Sequence, residues 1–375
     1  MSVSREKPRL LFGAYMAGGN ATILQNLQDQ IGGRPDVDSD WLRIEMDRDS
    51  RSLGRTPRRP LIPGTLRNSL VTGREIGKLE ASGCRFEAAW FFQQTICMFL
   101  RGFRSRVPYA VAMDGTPLWF LRNELWYALP RFDPRSLGSR VKHELTRRVY
   151  DGAAHLMPLS WSCRASLIEE YGIEPERISV IPPGIDVRRY TPPDRARRGD
   201  ERPFRLLFIG ADFLRKGGDL LVALAQAPEF RDLQFDLVTR SYRGPTADNI
   251  HVHDHVTPNS PRMLTLLREA DLYALPTRAD SHAIATLEAM AMGLPVVTTP
   301  VGGVVDVVRD GENGLFVPRN DADALGDRIR RLLRDRALRL RLGQAARTTV
   351  ETKFNAASVS AQVVDLLLRA RTARR

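Results

Sequence analysis

Leu272-Tyr-Ala-Leu275, Pro276-Thr-Arg-Ala-Asp280-Ser-His-Ala283, Ile284-Ala-Thr-Leu-Glu288-Ala-Met-Ala-Met292 and Gly293-Leu-Pro295-Val-Val-Thr298 follow one another without a break, and they decide the fold. The first four residues are an apolar run stopped by proline, which reads as a buried strand. A polar loop follows, then a helix over 284–292, ended by Gly293 and Pro295. A second apolar run over 295–298 completes a strand–helix–strand unit. Two strands joined through a helix lie parallel, because an antiparallel pair needs only a short turn. Strands without polar alternation belong to a sheet covered on both faces.

The same rhythm extends in both directions. Residues 204–209 and 235–239 read as strands, and 218–226 and 260–268 as helices. In the first half, 9–13, 41–46, 86–92, 109–113 and 154–159 read as strands, with helices over 21–31, 137–150 and 163–171. Between the halves, Pro182-Pro-Gly184 and Pro192-Pro-Asp-Arg-Ala-Arg-Arg-Gly199 replace periodic apolar residues with prolines, glycines and charges, as a linker does. The expected fold class is α/β, with two doubly wound Rossmann-like domains facing a central cleft. The first spans 1–195 and the second 196–354. Residues 321–371 lack strand signals and carry Leu, Ile, Ala and Val at helical spacing, so two or three helices close the second domain. The last, about 355–371, can pack back on the first.

The chain has 375 residues, enough for two or three domains at roughly 150 residues each. With 43% hydrophobic and 27% charged residues it is neither disordered nor fibrous. Cys84, Cys97 and Cys163 are too few and too widely spaced for a disulfide framework or a Cys-x-x-Cys metal site, so a reducing compartment is the expectation. The formal net charge of +12 is concentrated in residues 51–75, 101–150 and 321–375. Such clusters suit phosphorylated ligands or peripheral contact with an anionic membrane. No run reaches the ~18 apolar residues of a spanning helix, and the N-terminus carries no signal-peptide pattern. The expected location is cytoplasmic, at most peripheral to the inner membrane face.

Two stretches carry chemistry. Gly210-Ala-Asp-Phe-Leu-Arg215-Lys216-Gly217-Gly218 follows a strand and opens a helix. Its glycines admit a ligand close to the backbone, and Arg215 and Lys216 beside free helix N–H groups suit a diphosphate. In the second stretch, Asp280 sits just past the carboxyl end of a strand, in the crevice where open α/β sheets bind ligands. The N–H groups of Ser281, His282 and Ala283, at the start of the helix that Ile284 opens, suit sugar hydroxyls and phosphate oxygens. Glu288 lies in the second turn of that helix.

The run from Leu275-Pro-Thr277 through Asp280-x7-Glu288 and Ala289-Met-Ala-Met-Gly293-Leu-Pro-Val-Val297, then Val301-Gly-Gly303 and Asp310-Gly-Glu-Asn-Gly-Leu-Phe-Val-Pro318, strongly resembles glycosyltransferase family 4. The resemblance covers most of the second domain and reaches loosely back through Tyr171-Gly172 and Val180-Ile-Pro-Pro-Gly-Ile-Asp186. It implies the two-domain GT-B fold and a retaining, metal-independent glycosyltransferase using a nucleoside-diphosphate sugar as substrate, with no cofactor. Carried over, Glu288 binds the ribose hydroxyls, Arg215 and Lys216 grip the diphosphate, and Asp280 stands beside the donor sugar. Asp280 replaces the first glutamate of the family's Glu-x7-Glu motif, one methylene shorter. Ala211 stands where many members place a further diphosphate-binding arginine.

In the first domain, Gly18 and Gly19 follow the first strand and resemble the family's glycine loop near the donor phosphates. Asp114, in Asp114-Gly-Thr-Pro117, stands where many relatives place a histidine near the donor sugar, and is the expected contact to sugar or acceptor. His282 is expected to contact sugar or wall the pocket. His251, His253 and His255 alternate along an expected strand, placing them on one face, but without further ligands they suggest an exposed edge rather than a metal site. Trp90-Phe-Phe92 reads as a buried strand, flanked at the surface by Arg101, Arg104 and Arg106. The expected reaction moves a sugar to an acceptor glycan, lipid-linked intermediate or small molecule. A different class of function, motivated by Ala211 and Asp280, is a nucleotide-sugar or anionic-surface binding protein of the same fold without turnover. Nucleic acid is not an expected partner, since nothing resembles a recognition helix or a stacking motif.

Overall fold

Every pairing between the named strands is parallel, as the strand–helix–strand reading requires. The structure is a computed structural model that describes residues 7–16, 19–45, 64–122, 127, 135–196, 202–244, 247–282 and 284–372. These residues divide into two units, one drawn from within 1–122, 130–182 and 357–375, the other from within 123–129 and 183–356.

The first unit holds strands β1 (Arg9–Met16), β2 (Asp38–Glu45), β3 (Ala88–Phe92), β4 (Tyr109–Met113) and β5 (His155–Pro158), in the order β2-β1-β3-β4-β5. Strands β3 and β4 are central and buried along their whole length, which accounts for their unbroken apolar sequences. Trp90, Phe91 and Phe92 are core side chains, as read from the sequence. Arg101 and Arg106 lie at the surface, whereas Arg104 is half-buried and donates to Tyr109 Oη and Met98 O. One helix, Gly64–Ala81, has no counterpart in the sequence reading. It buries Ser69, Thr72 and Ile76 and exposes Arg67 and Arg74. The two hydroxyls stay hydrogen-bonded, Ser69 to Thr95 O and Thr72 to Asn68 O, so this buried face shows no apolar stripe.

The second unit holds β6 (Arg205–Ile209), β7 (Gln234–Val238), β8 (Ile250–Val252), β9 (Leu272–Leu275), β10 (Val296–Thr298) and β11 (Leu315–Phe316), in the order β11-β10-β9-β6-β7-β8. The chain builds outward from β6 to β8, then returns to the other side of β6 and builds outward again. The topological switch therefore lies between β6 and β9, and the crevice beyond their carboxyl ends is where this class of sheet receives ligands. The loops leaving those strands run over 210–217 and from 276 to at least 282.

The stretch 289–293 is small and apolar because another backbone lies against it. A Cβ at Gly343, in the helix Arg336–Lys353, would overlap Gly293 O. Gly293 itself has φ +70 and ends the helix Ile284–Ala291, with Leu294 N–H donating to Ala289 O and Gly293 N–H to Met290 O. The turn 310–314 is also architectural. Asn313 Oδ1 accepts from Arg309 N–H, its amide donates to Val307 O, and Asp310 Oδ1 accepts from Phe316 N–H. Of the three C-terminal helices, Ala322–Arg334 and Arg336–Lys353 belong to the second unit. The third, Ala356–Thr372, groups from Ala357 with the first, and its Arg371 pairs with Glu87 at 3.0 Å.

The histidine reading needs correction. Strand β8 is an edge strand, but it ends at Val252, so only His251 lies on it. His251 bonds Gln234, and His253 Nε2 lies 2.8 Å from the buried Asp236, which also takes two 2.9 Å bonds from Arg205. Both rings are half-buried, and only His255 is exposed, beside Asp254. Among the described residues, no group of three or more His, Cys, Asp or Glu is gathered as for a metal ion.

Candidate active site

The loop after β6 is folded by its glycines. A Cβ at Gly210 would lie 2.6 Å from Phe208 Cζ, and Gly217, at φ +76, would drive a Cβ into Pro276 O. This close approach joins the loop after β6 to the loop after β9. Two further bonds secure it: Arg278 N–H donates to Arg215 O at 2.8 Å, and Arg215 Nη1 donates to Ala279 O at 2.9 Å.

Clamped in this way, the two loops bring Lys216 Nζ to 2.6 Å from Asp280 Oδ2, with side-chain exposures of 15% and 5%. Burial lowers the Lys216 pKa, and the Asp280 charge acts in the opposite direction. Arg215 also has an acidic partner, Asp212 at 3.1 Å, and its guanidinium lies 4.9 Å from the Tyr127 ring centre. The two cations read from the sequence are thus both held in ion pairs.

Asp280 is fixed through its backbone, since its carbonyl accepts from Gly303 N–H at 3.1 Å. A Cβ at Gly303 would lie 2.5 Å from Ser281 O, so the turn at 302–303 fits closely under this loop. Ser281 is buried, and its Oγ lies 3.0 Å from His282 Nδ1. Ile284 opens the helix and is buried; Ala283 lies outside the described residues.

Glu288 is 4% exposed, and Tyr190 Oη lies 3.0 Å from its Oε1. Burial raises its carboxyl pKa to about 7, against the opposing effects of the Tyr190 bond and the Arg189 charge. Its hydrogen-bond partner thus comes from the linker, not from the Lys216–Asp280 pair. Both carboxylates nevertheless act on one buried group: the Tyr273 phenol is pushed up by burial, then by the charges of Asp280 and Glu288. The linker is pinned by Arg347, which donates to Val187 O, Tyr190 O and Ala291 O and so ties residues 187–190 to the end of the Glu288 helix.

Within the first unit, Asp114 follows β4 and accepts from the Gln93 amide at the end of β3. Gln93 has φ +78, an unusual backbone for a residue with a side chain. Below this loop, Thr116 Oγ1 accepts from Trp119 N–H and bonds Ser166, which donates to Glu170. Gly19 caps the helix Asn20–Ile31, and Asn20 Nδ2 donates to Tyr15 O; Gly18 lies outside the described residues.

The sequence reading missed Arg278, Tyr190 and Asn259. Arg278, 8% exposed, makes a bidentate pair with Asp219 at 2.6 and 2.7 Å, donates from Nε to Asn320 Oδ1 at 2.7 Å, and donates to Leu214 O. It braces the loop that carries Arg215 and Lys216 from beneath. Tyr190 and Asn259 lie 98 and 29 positions before Glu288 in the chain, and neither carries a local motif.

Two family models match successive parts of the chain: "Glycosyltransferase Family 4" over residues 103–189 and "Glycosyl transferases group 1" over residues 194–349. The D-inositol 3-phosphate glycosyltransferase of Pseudarthrobacter chlorophenolicus is 34% identical over 53% of this chain and 52% of its own length. That of Corynebacterium efficiens is 30% identical over 65% of this chain and 63% of its own. The chain spans about half the length of the curated relatives it matches. Among solved structures, sucrose-phosphate synthase from Thermosynechococcus elongatus aligns with a TM-score of 0.74 at 19% identity, over 98% of this chain and 100% of that one. HepE from Anabaena, solved in complex with UDP-glucose, gives 0.68 at 17% identity over 96% and 99%. These structural likenesses establish the fold. With two doubly wound sheets and consecutive matches to both family models, the chain belongs to the family 4 glycosyltransferases of the GT-B fold.

Proposed function

We propose that the chain transfers a sugar from a nucleoside-diphosphate sugar to an acceptor hydroxyl with retention of anomeric configuration. The observation that supports this most is the buried Lys216–Asp280 pair in the crevice at the β6/β9 switch. A diphosphate entering there gives Lys216 a second anionic partner, and Arg215 lies next to it in the same loop. As the glycosidic bond breaks, charge develops on the leaving diphosphate, and cations already fixed in place stabilise it without reorganising. Asp280, released from part of its pairing, is left facing the cationic sugar. Ser281, His282 and Ile284, at the start of the helix, are proposed to turn N–H groups to sugar hydroxyls or phosphate, and Ala283, outside the described residues, is proposed with them. Glu288 takes the ribose hydroxyls. The acceptor hydroxyl attacks from the leaving-group face and gives its proton to the departing phosphate oxygen, so this reading needs no metal. Gly18 and Gly19 are proposed for donor contact and Asp114 for sugar or acceptor contact.

The UDP-glucose bound in the HepE structure makes it the first donor to try, and the relatives' names make a phosphorylated cyclitol the first acceptor. Thermal stabilisation by nucleoside-diphosphate sugars, followed by transfer assays on the best donor, tests the reading. Stabilisation is expected to be lost in Asp280→Ala and Glu288→Ala. Equal stabilisation of both variants and the native chain defeats the assigned site. Binding without transfer or hydrolysis favours a non-catalytic binding protein.

A further inference from the structure

Tyr190 Oη lies 3.0 Å from two oxygen atoms, Glu288 Oε1 and Asn259 Oδ1. A phenol has one hydrogen to donate. With Asn259 presenting its oxygen, both bonds form only if a proton resides on Glu288: the carboxyl donates to Tyr190, and Tyr190 donates to Asn259. Asn259 is held for this purpose, with φ +62 and its carbonyl accepting from Arg189. Tyr190 is equally fixed, because Arg347 grips its carbonyl and those of Val187 and Ala291.

A ribose diol binds a carboxylate by donating two hydroxyls, which requires an ionised acceptor. We propose that Tyr190 is a positioning residue for Glu288, storing a proton on it in the empty site, and that nucleotide binding expels this proton and makes donor affinity pH-dependent. The inference rests on the donor reading above and adds the partner and the proton. One proton passes to the buffer for each nucleotide bound, and Tyr190 is then free to donate to Glu288 or to keep its bond to Asn259.

Among the described residues, Arg189 and Tyr190 act on Glu288 from the linker, and Tyr273 lies within reach of its charge from β9, where the Asp280 charge also acts on that phenol. Arg347, from the helix Arg336–Lys353, is occupied by backbone carbonyls and Glu351. Burial of the Glu288 carboxyl agrees with a bound proton at neutral pH; the Arg189 charge favours its loss, and so does Tyr190 once its hydrogen turns from Asn259 to the carboxylate.

Calorimetric titration of the full chain with UDP and with ADP, from pH 5.5 to 8.5 in two buffers of different ionisation heat, tests this. The ligand phosphate itself titrates near pH 6, so the Glu288→Gln profile is the reference. Relative to that reference, native affinity is expected to fall about tenfold for each pH unit below its midpoint, with close to one proton released per ligand there. Tyr190→Phe removes the phenol oxygen that accepts the carboxyl's hydrogen, so its midpoint moves to lower pH. A native profile parallel to that of Glu288→Gln, without extra proton release, overturns the inference while leaving nucleotide binding intact. A Tyr190→Phe variant that binds more weakly at an unchanged midpoint overturns the role of Tyr190. If that variant does not fold, the native and Glu288→Gln profiles still decide. Failure of both nucleotides to bind at any pH removes the donor reading and this inference with it.

Discussion

Lys216 and Asp280 follow different strands of the second sheet, yet their charged ends meet at 2.6 Å with both side chains largely shielded from solvent. Removing one partner of such a pair leaves the other charge buried, at a cost of about 3–5 kcal/mol, whereas replacing both is far milder. Asp280→Ala is therefore expected to lower stability by about 3 kcal/mol, and Lys216→Met combined with Asp280→Ala to recover most of that loss. Urea denaturation of the two variants measures it. Equal losses in the single and double variants contradict the pairing.

Gly217→Ala tests the clamp between the two loops. An L-residue in the left-handed region costs about 1–2 kcal/mol, and here the added methyl also meets Pro276 O, a backbone atom with no rotamer to change. A loss of at least about 2 kcal/mol is expected, together with loss of stabilisation by nucleoside diphosphates. Gly311→Ala is the control: it shares a positive φ of +73 but has nothing within 4 Å of the added atom. It is expected to lose stability without losing ligand response.

Arg278→Met breaks the bidentate pair with Asp219 and the bonds to Asn320 and Leu214. Asp219 is half-exposed and Leu214 and Asn320 are exposed, so the freed groups can find water and the cost is that of the lost charge-assisted bonds, roughly 1–3 kcal/mol. Because Arg278 supports the loop from below, donor KM is expected to rise severalfold with kcat less affected. A drop in kcat at unchanged KM is the contrary result, since it places Arg278 in the chemical step.

Much of the architecture was legible because both sheets are parallel and buried, so their strands stand out as short apolar runs such as 272–275 and 109–113. The helix Gly64–Ala81 was not legible, because Ser69 and Thr72 form its buried face and leave no 3.6-residue apolar period. Lys216 and Asp280 were legible singly, from a glycine loop and a strand end, but their pairing depends on a close approach at Gly217 that no local pattern announces. Tyr190 and Asn259 were illegible for a related reason: Tyr190 reaches Glu288, and Asn259 reaches Tyr190, only through the tertiary fold.

Glu288 carries a stability signature of its own. Its carboxyl moves from an ordinary 4.5 to about 7 in the folded chain, with burial as the largest cause. Between these values the folded chain holds a proton that the unfolded chain has lost, so stability is full below pH 4.5 and declines as pH rises through about 7. The direction is opposite to that of a salt-bridged carboxylate. At 1.36 kcal/mol per unit the decline reaches about 3 kcal/mol at most. Glu288→Gln keeps the shape and cannot ionise, so it is expected to match the native chain near pH 5 and exceed it at pH 8. Urea midpoints at those two pH values separate the outcomes: a variant weaker than the native chain at pH 8 means that the ionised carboxylate is well accommodated, and that burial is not the dominant force on Glu288.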